Sequence, residues 1–233
     1  MKNLIVIFLF LFSLNCFAQD STNSIDFKFE KEYVSTPSSL YLKCANDIRF
    51  SISDKTKLKK LSYKVTGADL IIKDKAKHLV LIPNSAKVTL EVLYKGKTIL
   101  EQDFTVKMIP QPSIKVAELS NKALTEFPQK ITVSVSADAT FIKELPADAR
   151  YRASSYTVTL AKGKKRITQK VFTHNEQFTE EETQNYTNLI KTEPNEEWKL
   201  IIEVTEIQRM NYKDEVEKVM MRAEVFSLPI QEE

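Results

Sequence analysis

The feature that most limits what this chain can become is a hydrophobic period of two that recurs along most of its length. Ile48, Phe50 and Ile52 alternate with Arg49, Ser51 and Ser53. Leu61, Tyr63 and Val65 repeat the pattern, as do Val88, Leu90, Val92 and Tyr94. Successive side chains on a strand point to opposite faces, so each run describes a ribbon with one buried and one wet face. Further runs follow at Ile114-Val116, Ile131-Val133-Val135, Tyr156-Val158-Leu160 and Trp198-Leu200-Ile202-Val204. Many short alternating runs separated by polar turns predict an all-β chain of immunoglobulin-like sandwiches. Lys95-Gly96-Lys97 and Lys162-Gly163-Lys164 lie between such runs and read as hairpin tips, where glycine supplies positive φ. Leu79 to Ile82 is apolar without alternation, which fits a strand covered on both faces and stopped at Pro83-Asn84.

The alternation is interrupted once in an unusual way. Thr98 to Ile109 reads as one long strand, Pro110-Gln111-Pro112 follows, and alternation resumes at Ile114. Proline lacks an N–H for the sheet ladder and pushes the preceding residue towards extended geometry. Pro110 and Pro112 therefore keep the chain stretched while taking it out of its sheet. Two arrangements satisfy that pattern: a semi-rigid joint between two domains, or a proline-rich crossover within one sandwich. One later segment has a different period. Thr179 and Glu182 have capping-box spacing, and Tyr186, Leu189 and Ile190 then fall on one face. This predicts a single short helix near 180–190, ending before Pro194 and covering a sheet or a sheet edge.

The first residues set the expected compartment. Lys2 is followed by an apolar run from Leu4 to Leu14, broken only by Ser13, and then by Cys16-Phe17-Ala18 with small residues at the −3 and −1 positions. That layout is a signal peptide spanning residues 1–18, cleaved after Ala18, and predicts a periplasmic or secreted chain. The rival is lipidation at Cys16, against which Asn15 is large and polar for the position before the modified cysteine. The run is shorter than the roughly 20 apolar residues a membrane span needs, and no second run follows. The expectation is no membrane span after cleavage. Cleavage also removes one of the two cysteines, leaving Cys44 without an intrachain disulfide partner and best read as a small buried hydrophobe.

Composition narrows the function classes. Three glycines are too few for a glycine-rich phosphate loop. A formal charge of +3, lowered by one when Lys2 is removed, gives no electrostatic basis for nucleic acid as a partner. His78 and His174 are the only histidines and neither has a Cys or His close in sequence, so no metal site is assigned. No Gly-x-Ser-x-Gly elbow occurs. Acidic clusters at Glu176–Glu182, Glu193–Glu197 and Asp214–Glu217 fit solvated loops and a helix start. The residues therefore carry no catalytic, cofactor or metal assignment, and no cofactor is expected. Lys55–Lys60 and Lys162–Arg166 are basic stretches that either face an anionic partner or keep strand edges soluble. Trp198 opens a strong alternating run and is expected in the core.

In their order, these features resemble a known family. Tyr41-Leu42-Lys43-Cys44-Ala45-Asn46-Asp47-Ile48 precedes an alternating strand, and Gly67-Ala68 precedes the strands from Leu70 to Ile82. Phe104-Thr105-Val106-Lys107-Met108-Ile109-Pro110-Gln111-Pro112 is similar to an interdomain signature Phe-x-Val-Lys-x-Ile-Pro-Asp-Pro, and Tyr156-Thr157-Val158 and Phe178-Thr179 follow in matching order. From about Leu40 to Ile230 the chain resembles the C-terminal periplasmic region of GldM, the shaft component of the gliding-motility and type IX secretion motor. Asp47 stands where that pattern has proline, and Gln111 where it has aspartate.

The resemblance implies two tandem sandwich domains: a lead-in over 19–39, domain 1 over 40–109, a proline joint over 110–113, and domain 2 over 114–233. It implies a non-catalytic structural and interaction protein whose partners are envelope proteins of the secretion or gliding machinery, and it implies pairing as a homodimer. A cleavable signal in place of the family's membrane-spanning helix implies the distal two domains as a free periplasmic protein, uncoupled from the proton gradient. A competing expectation is an exported module binding a glycan or envelope component. That reading needs an exposed aromatic cluster, for which Tyr33, Tyr41, Tyr151, Tyr156 and Tyr212 are the candidates. A hydrolase would instead need a concave pocket holding His174 or paired acids.

Overall fold

Alternation in sequence becomes alternation in burial. In the computed structural model the residues described are 27–30, 39–52, 55–74, 78–117, 123–173 and 175–230. The signal segment with Ala18, most of the lead-in including Tyr33, and His174 lie outside the described residues. The first half holds β1 (Phe27–Glu30), β2 (Ser39–Tyr41), β3 (Asn46–Ile52), a 3-10 helix (Lys55–Lys60), β4 (Leu61–Thr66), β5 (Ala68–Asp74), β6 (His78–Pro83), β7 (Lys87–Tyr94) and β8 (Lys97–Lys107). The second half holds β9 (Ser113–Val116), β10 (Val133–Ser136), helix α1 (Ala139–Glu144), β11 (Arg150–Lys162), β12 (Lys165–Thr173), helix α2 (Glu180–Thr192), β13 (Trp198–Met210), β14 (Val216–Val219) and β15 (Glu224–Ile230).

The first half is a sandwich of two four-stranded sheets, ordered β1-β3-β6-β5 and β2-β8-β7-β4. Ile48 and Phe50 of β3 and Leu79 and Leu81 of β6 meet Val88, Leu90 and Val92 of β7 and Phe104 of β8 in one apolar cluster. Each such side chain, fully buried, contributes roughly 1.5–3 kcal/mol relative to exposure. Strand β6 is buried on both faces, since Val80 on the side away from this cluster is as enclosed as its neighbours. All pairings here are antiparallel except β2 with β8, which run parallel.

The second half is an unequal sandwich. A five-stranded sheet is built on β11 and β13, with β12 outside β11 and both β14 and β15 on the far side of β13. Its facing layer consists of the β9–β10 ribbon and α2, and one cluster joins Ile114, Val116, Val158, Leu200, Ile202 and Ile190 among others. Trp198 lies in this core, with its indole N–H donating to Glu193 O. Both glycine turns fall where hairpin tips are expected, between β7 and β8 and between β11 and β12. The capping box on α2 is complete: Thr179 Oγ1 accepts from Glu182 N, and Glu182 Oε2 accepts from Thr179 N. Tyr186, Leu189 and Ile190 face the core.

The fold is therefore all-β with two tandem immunoglobulin-like sandwiches, and the described residues hold two helical elements beyond the expected one, the 3-10 helix and α1. Helix α1 is six residues long, too short to show a 3.6-residue period, and starts where the Asp138 carboxylate caps Thr140 N and Phe141 N. Among the described residues no helix is long and apolar enough to cross a membrane.

One position in the first sandwich has no room for a side chain. Gly67 turns the chain from β4 to β5 with φ +81°, and a Cβ there would stand 2.2 Å from the Lys87 carbonyl oxygen. Left-handed backbone alone costs a non-glycine residue about 1 kcal/mol or more. Gly67→Ala is expected to lower unfolding free energy by at least about 2 kcal/mol in urea titration, against about 1 kcal/mol for Gly163→Ala, which shares the left-handed φ but meets no neighbour.

Candidate functional site: the junction between the sandwiches

Strand β8 ends at Lys107, and residues 108–112 belong to no sheet. Pro110 is half-buried and Pro112 buried, so the imino acids lie against the protein rather than spanning open solvent. The two large cores do not merge here. A third, small cluster lies between them: Tyr41 and Cys44 from the first half, Phe141 and Leu145 from α1 and its end, with Ile109, Ala149 and Tyr151 packed around. The Tyr41 and Phe141 rings meet edge-on at 4.8 Å between centroids, and Lys107 Nζ sits 4.0 Å from the centre of the Tyr41 ring.

The loop that enters this cluster is shaped by one side chain. Asn46 is fully buried, and its carboxamide oxygen accepts from Tyr41 N at 2.8 Å. Its amide donates to Tyr41 O at 2.9 Å and to Cys44 O at 2.8 Å, with a longer contact to Leu81 O. The first bond supplies the partner of the Tyr41 N–H, while the Tyr41 and Cys44 carbonyls, which also accept from Cys44 N and Asn46 N, gain a second one. Lys43 takes left-handed φ at 55° to complete the turn, and Leu42 N and Lys43 N donate to Lys107 O and Pro83 O. The loop is thereby pinned to the ends of two strands of its own sandwich.

What it presents outward is then grasped by the second sandwich. Asp148, 1% exposed, accepts from Ala45 N through Oδ2 at 2.9 Å and from Tyr212 N through Oδ1 at 3.2 Å. Arg209, 3% exposed, donates through Nη1 to Cys44 Sγ at 3.3 Å and through Nη2 to Glu217 Oε2 at 2.5 Å. Asn211 Nδ2 steadies the same glutamate at 2.9 Å. Burial raises the Asp148 carboxyl above its usual range, a rise only partly offset by its two amide bonds. Burial also opposes the Arg209 charge, yet its bonds to Glu217 and Cys44 prevail and keep the guanidinium more basic than usual. Arg209 is buried but the Glu217 side chain is 41% exposed, so solvent screens their pairing from one side.

Beside this knot runs an open groove of about 370 Å³, with Met108, Ile109 and Pro110 on one wall and Val219 and Met220 on the other. Met108 and Met220 are 75% and 83% exposed, unusual for apolar side chains of this size. Flexible thioethers of this kind adapt to varied apolar surfaces.

The other sequence candidates are scattered. His78 is half-buried and hydrogen-bonded to Asp47 Oδ1 at 2.9 Å. Among the described residues no group of three or more His, Cys, Asp or Glu side chains is placed to hold a metal ion. Tyr41 and Tyr156 are core residues, while Tyr151 and Tyr212 are half-buried, so these four present no exposed aromatic platform. Arg209 and Asp148 were not singled out in the sequence, and Asn46 entered only within the stretch Tyr41 to Ile48. The partners of Asp148 lie 103 and 64 residues away, and Cys44 is 165 residues from Arg209. Period and spacing carry no trace of such contacts.

Tandem immunoglobulin-like sandwiches tied at a buried junction are thus the class of protein defined by this fold. Residues 110–231 match the model of the GldM C-terminal domain. That match takes in more than half of the chain, and the chain belongs to the GldM C-terminal domain family. No curated protein matches it. Among solved structures, the Yersinia pseudotuberculosis adhesin InvE shares 9% identity at a TM-score of 0.25, covering 90% of this chain and 59% of that one. The chain thus spans less than two thirds of that adhesin structure. The fibronectin(III)-like modules of Clostridium thermocellum CbhA share 12% identity at a TM-score of 0.26, covering 89% and 95%. Scores this low define no common superposition, and the fold rests on the strand pairing itself.

Two outcomes follow from the junction. Asn46→Ala leaves the buried Tyr41 N–H without its partner and removes the second bonds to Tyr41 O and Cys44 O, and is expected to cost about 1–3 kcal/mol in urea unfolding. Burial pushes the Cys44 thiol from 9.0 up to about 12. Below pH 9 the thiol is protonated in both folded and unfolded chains and favours neither. Above it the unfolded chain loses the proton first, so stability falls by up to about 1.4 kcal/mol per pH unit until the folded value is reached. Wild-type protein is expected to lose stability more steeply than Cys44→Ala between pH 9 and 11, and its thiol to resist maleimide until urea is added.

Proposed function

We propose that this chain is an exported envelope protein that acts by binding other proteins and holding them in register, with no bond chemistry. The observation that carries the reading is membership of the GldM C-terminal domain family over residues 110–231. The association with gliding and type IX secretion machinery comes from that family. In this reading the signal is cleaved after Ala18 and the mature chain works in the periplasm. Residues 40–109 and 114–233 are its two domains, with Pro110 and Pro112 as the joint. Pairing of two copies belongs to the same reading.

The mechanism is mechanical. Proline restricts the joint locally, while Asp148 and Arg209 hold the Tyr41–Asn46 loop from the other side. A contact made at one end of the chain is then transmitted to the other instead of being lost at a loose hinge. The groove beside the joint, with its two exposed methionines, is where a partner side chain would report on that geometry.

The test is photo-crosslinking in the native envelope, with a photoreactive residue at Met108 or Met220 and, as a reference, at Val171 on the edge strand β12. The reading expects protein adducts from the junction positions that contain secretion or gliding components. Adducts restricted to glycan, or equal yields of the same products from Val171, would contradict it.

A further inference from the structure

The 3-10 helix Lys55–Lys60 and the β7–β8 turn are 35 residues apart in sequence but adjacent in space. The register of β4 on β7 pairs Leu61 with Tyr94, and Lys95 N donates to Lys60 O at 3.4 Å. Lys59, Lys60, Lys95 and Lys97 are thereby gathered, all exposed, at one end of the first sandwich. Among the described residues none of these four enters an ion pair. Lys57 and Lys95 flank the Tyr94 ring, with Nζ 6.0 and 5.5 Å from its centre. This end lies opposite the junction: β8 leaves it at Lys97 and reaches the junction at Lys107, about 33 Å away along an extended strand.

Four aspects of this end go beyond a merely soluble turn. The charge is concentrated: the whole chain carries only +3, so an unpaired group of four cations is a local departure from a nearly balanced surface. The cations are all lysine, a compact point charge suited to a diffuse anionic surface, where arginine's planar fork would suit one chosen carboxylate or phosphate. Lys95 also holds left-handed φ at 50°, in a two-residue turn where asparagine or glycine sits with less strain. Lysine beside a half-buried tyrosine is a pairing found where proteins meet the membrane interface.

We propose that this end of the first sandwich is a docking surface for an anionic phospholipid bilayer, approached end-on along the strand axis. Lysines 59, 60, 95 and 97 neutralise headgroup phosphates, and Tyr94 with its two flanking lysines settles at headgroup depth. Nothing is inserted, and the junction is left free about 33 Å from the surface. The proposal rests on the lysine geometry and stands apart from the secretion reading.

The test is sedimentation of the mature chain with vesicles of phosphatidylcholine, with and without phosphatidylglycerol. Binding is expected only to the anionic vesicles and to weaken steeply with added salt. A variant carrying Lys59→Gln, Lys60→Gln, Lys95→Asn and Lys97→Gln is expected to bind on the order of a hundredfold more weakly with unchanged circular dichroism. A control carrying Lys164→Gln, Lys165→Gln and Arg166→Gln at the other basic hairpin is expected to bind as wild type. The proposal is overturned by absence of binding to anionic vesicles, by an equal loss in the control, or by tighter binding to soluble polyphosphate than to vesicles.

Discussion

A buried asparagine amide governs how the two halves of this protein meet. Tyr41 to Asn46 must leave a parallel strand, reverse, and enter β3 within a few residues, with Tyr41, Cys44 and Asn46 buried. Backbone groups in such a loop fall outside the regular ladder, and a buried one left bare would cost about 1–3 kcal/mol. Asn46 answers three of them at once, through Tyr41 N, Tyr41 O and Cys44 O. Only with that loop closed do Cys44 and Ala45 project together, and only then can Arg209 and Asp148 reach them. The contact between sandwiches is in this sense a consequence of a local fold in the first one.

The chemistry of the contact favours fixed geometry over strength. The Asp148 carboxylate and the Arg209 guanidinium are taken out of water, which is costly, and are returned hydrogen bonds to Ala45 N, Tyr212 N, Cys44 Sγ and Glu217. An apolar patch of the same size would hold the halves together as well but would allow sliding. Directional bonds to Ala45 N, Tyr212 N and Cys44 Sγ accept only one arrangement. The apolar part, Tyr41 against Phe141, is small and supports the same placement. In the function proposed above, transmission of position needs this property more than it needs affinity between the two halves.

Much of the fold was legible in the sequence because strands announce themselves through side-chain alternation. Ile48-Phe50-Ile52, Val88-Leu90-Val92 and Trp198-Leu200-Ile202-Val204 became β3, β7 and β13 with the expected faces inward. Thr179 and Glu182 marked α2 because capping is local chemistry. Strand β11 was read only in part: Thr157 and Thr159 are buried along with Tyr156, Val158 and Leu160, since a strand in the middle of a five-stranded sheet has two covered faces. Helix α1 escaped because six residues hold fewer than two turns. The junction escaped for a deeper reason. Asp148 and Arg209 look like ordinary surface charges until residues more than a hundred positions away are brought to them. Pro110 and Pro112 interrupt the alternation between β8 and β9, while Asp148 and Arg209 carried no local signal.

The central claim is that the buried knot fixes the two sandwiches as a single arm. Spin labels at Ser62→Cys on β4 and Gln169→Cys on β12, both exposed, place one probe on each body, while the buried Cys44 stays unlabelled. Pulsed electron–electron resonance then reads the distance distribution between them. The account predicts one narrow peak that broadens when Asp148→Ala is added. A broad distribution in the otherwise wild-type chain, or a peak unaltered by Asp148→Ala, would contradict it.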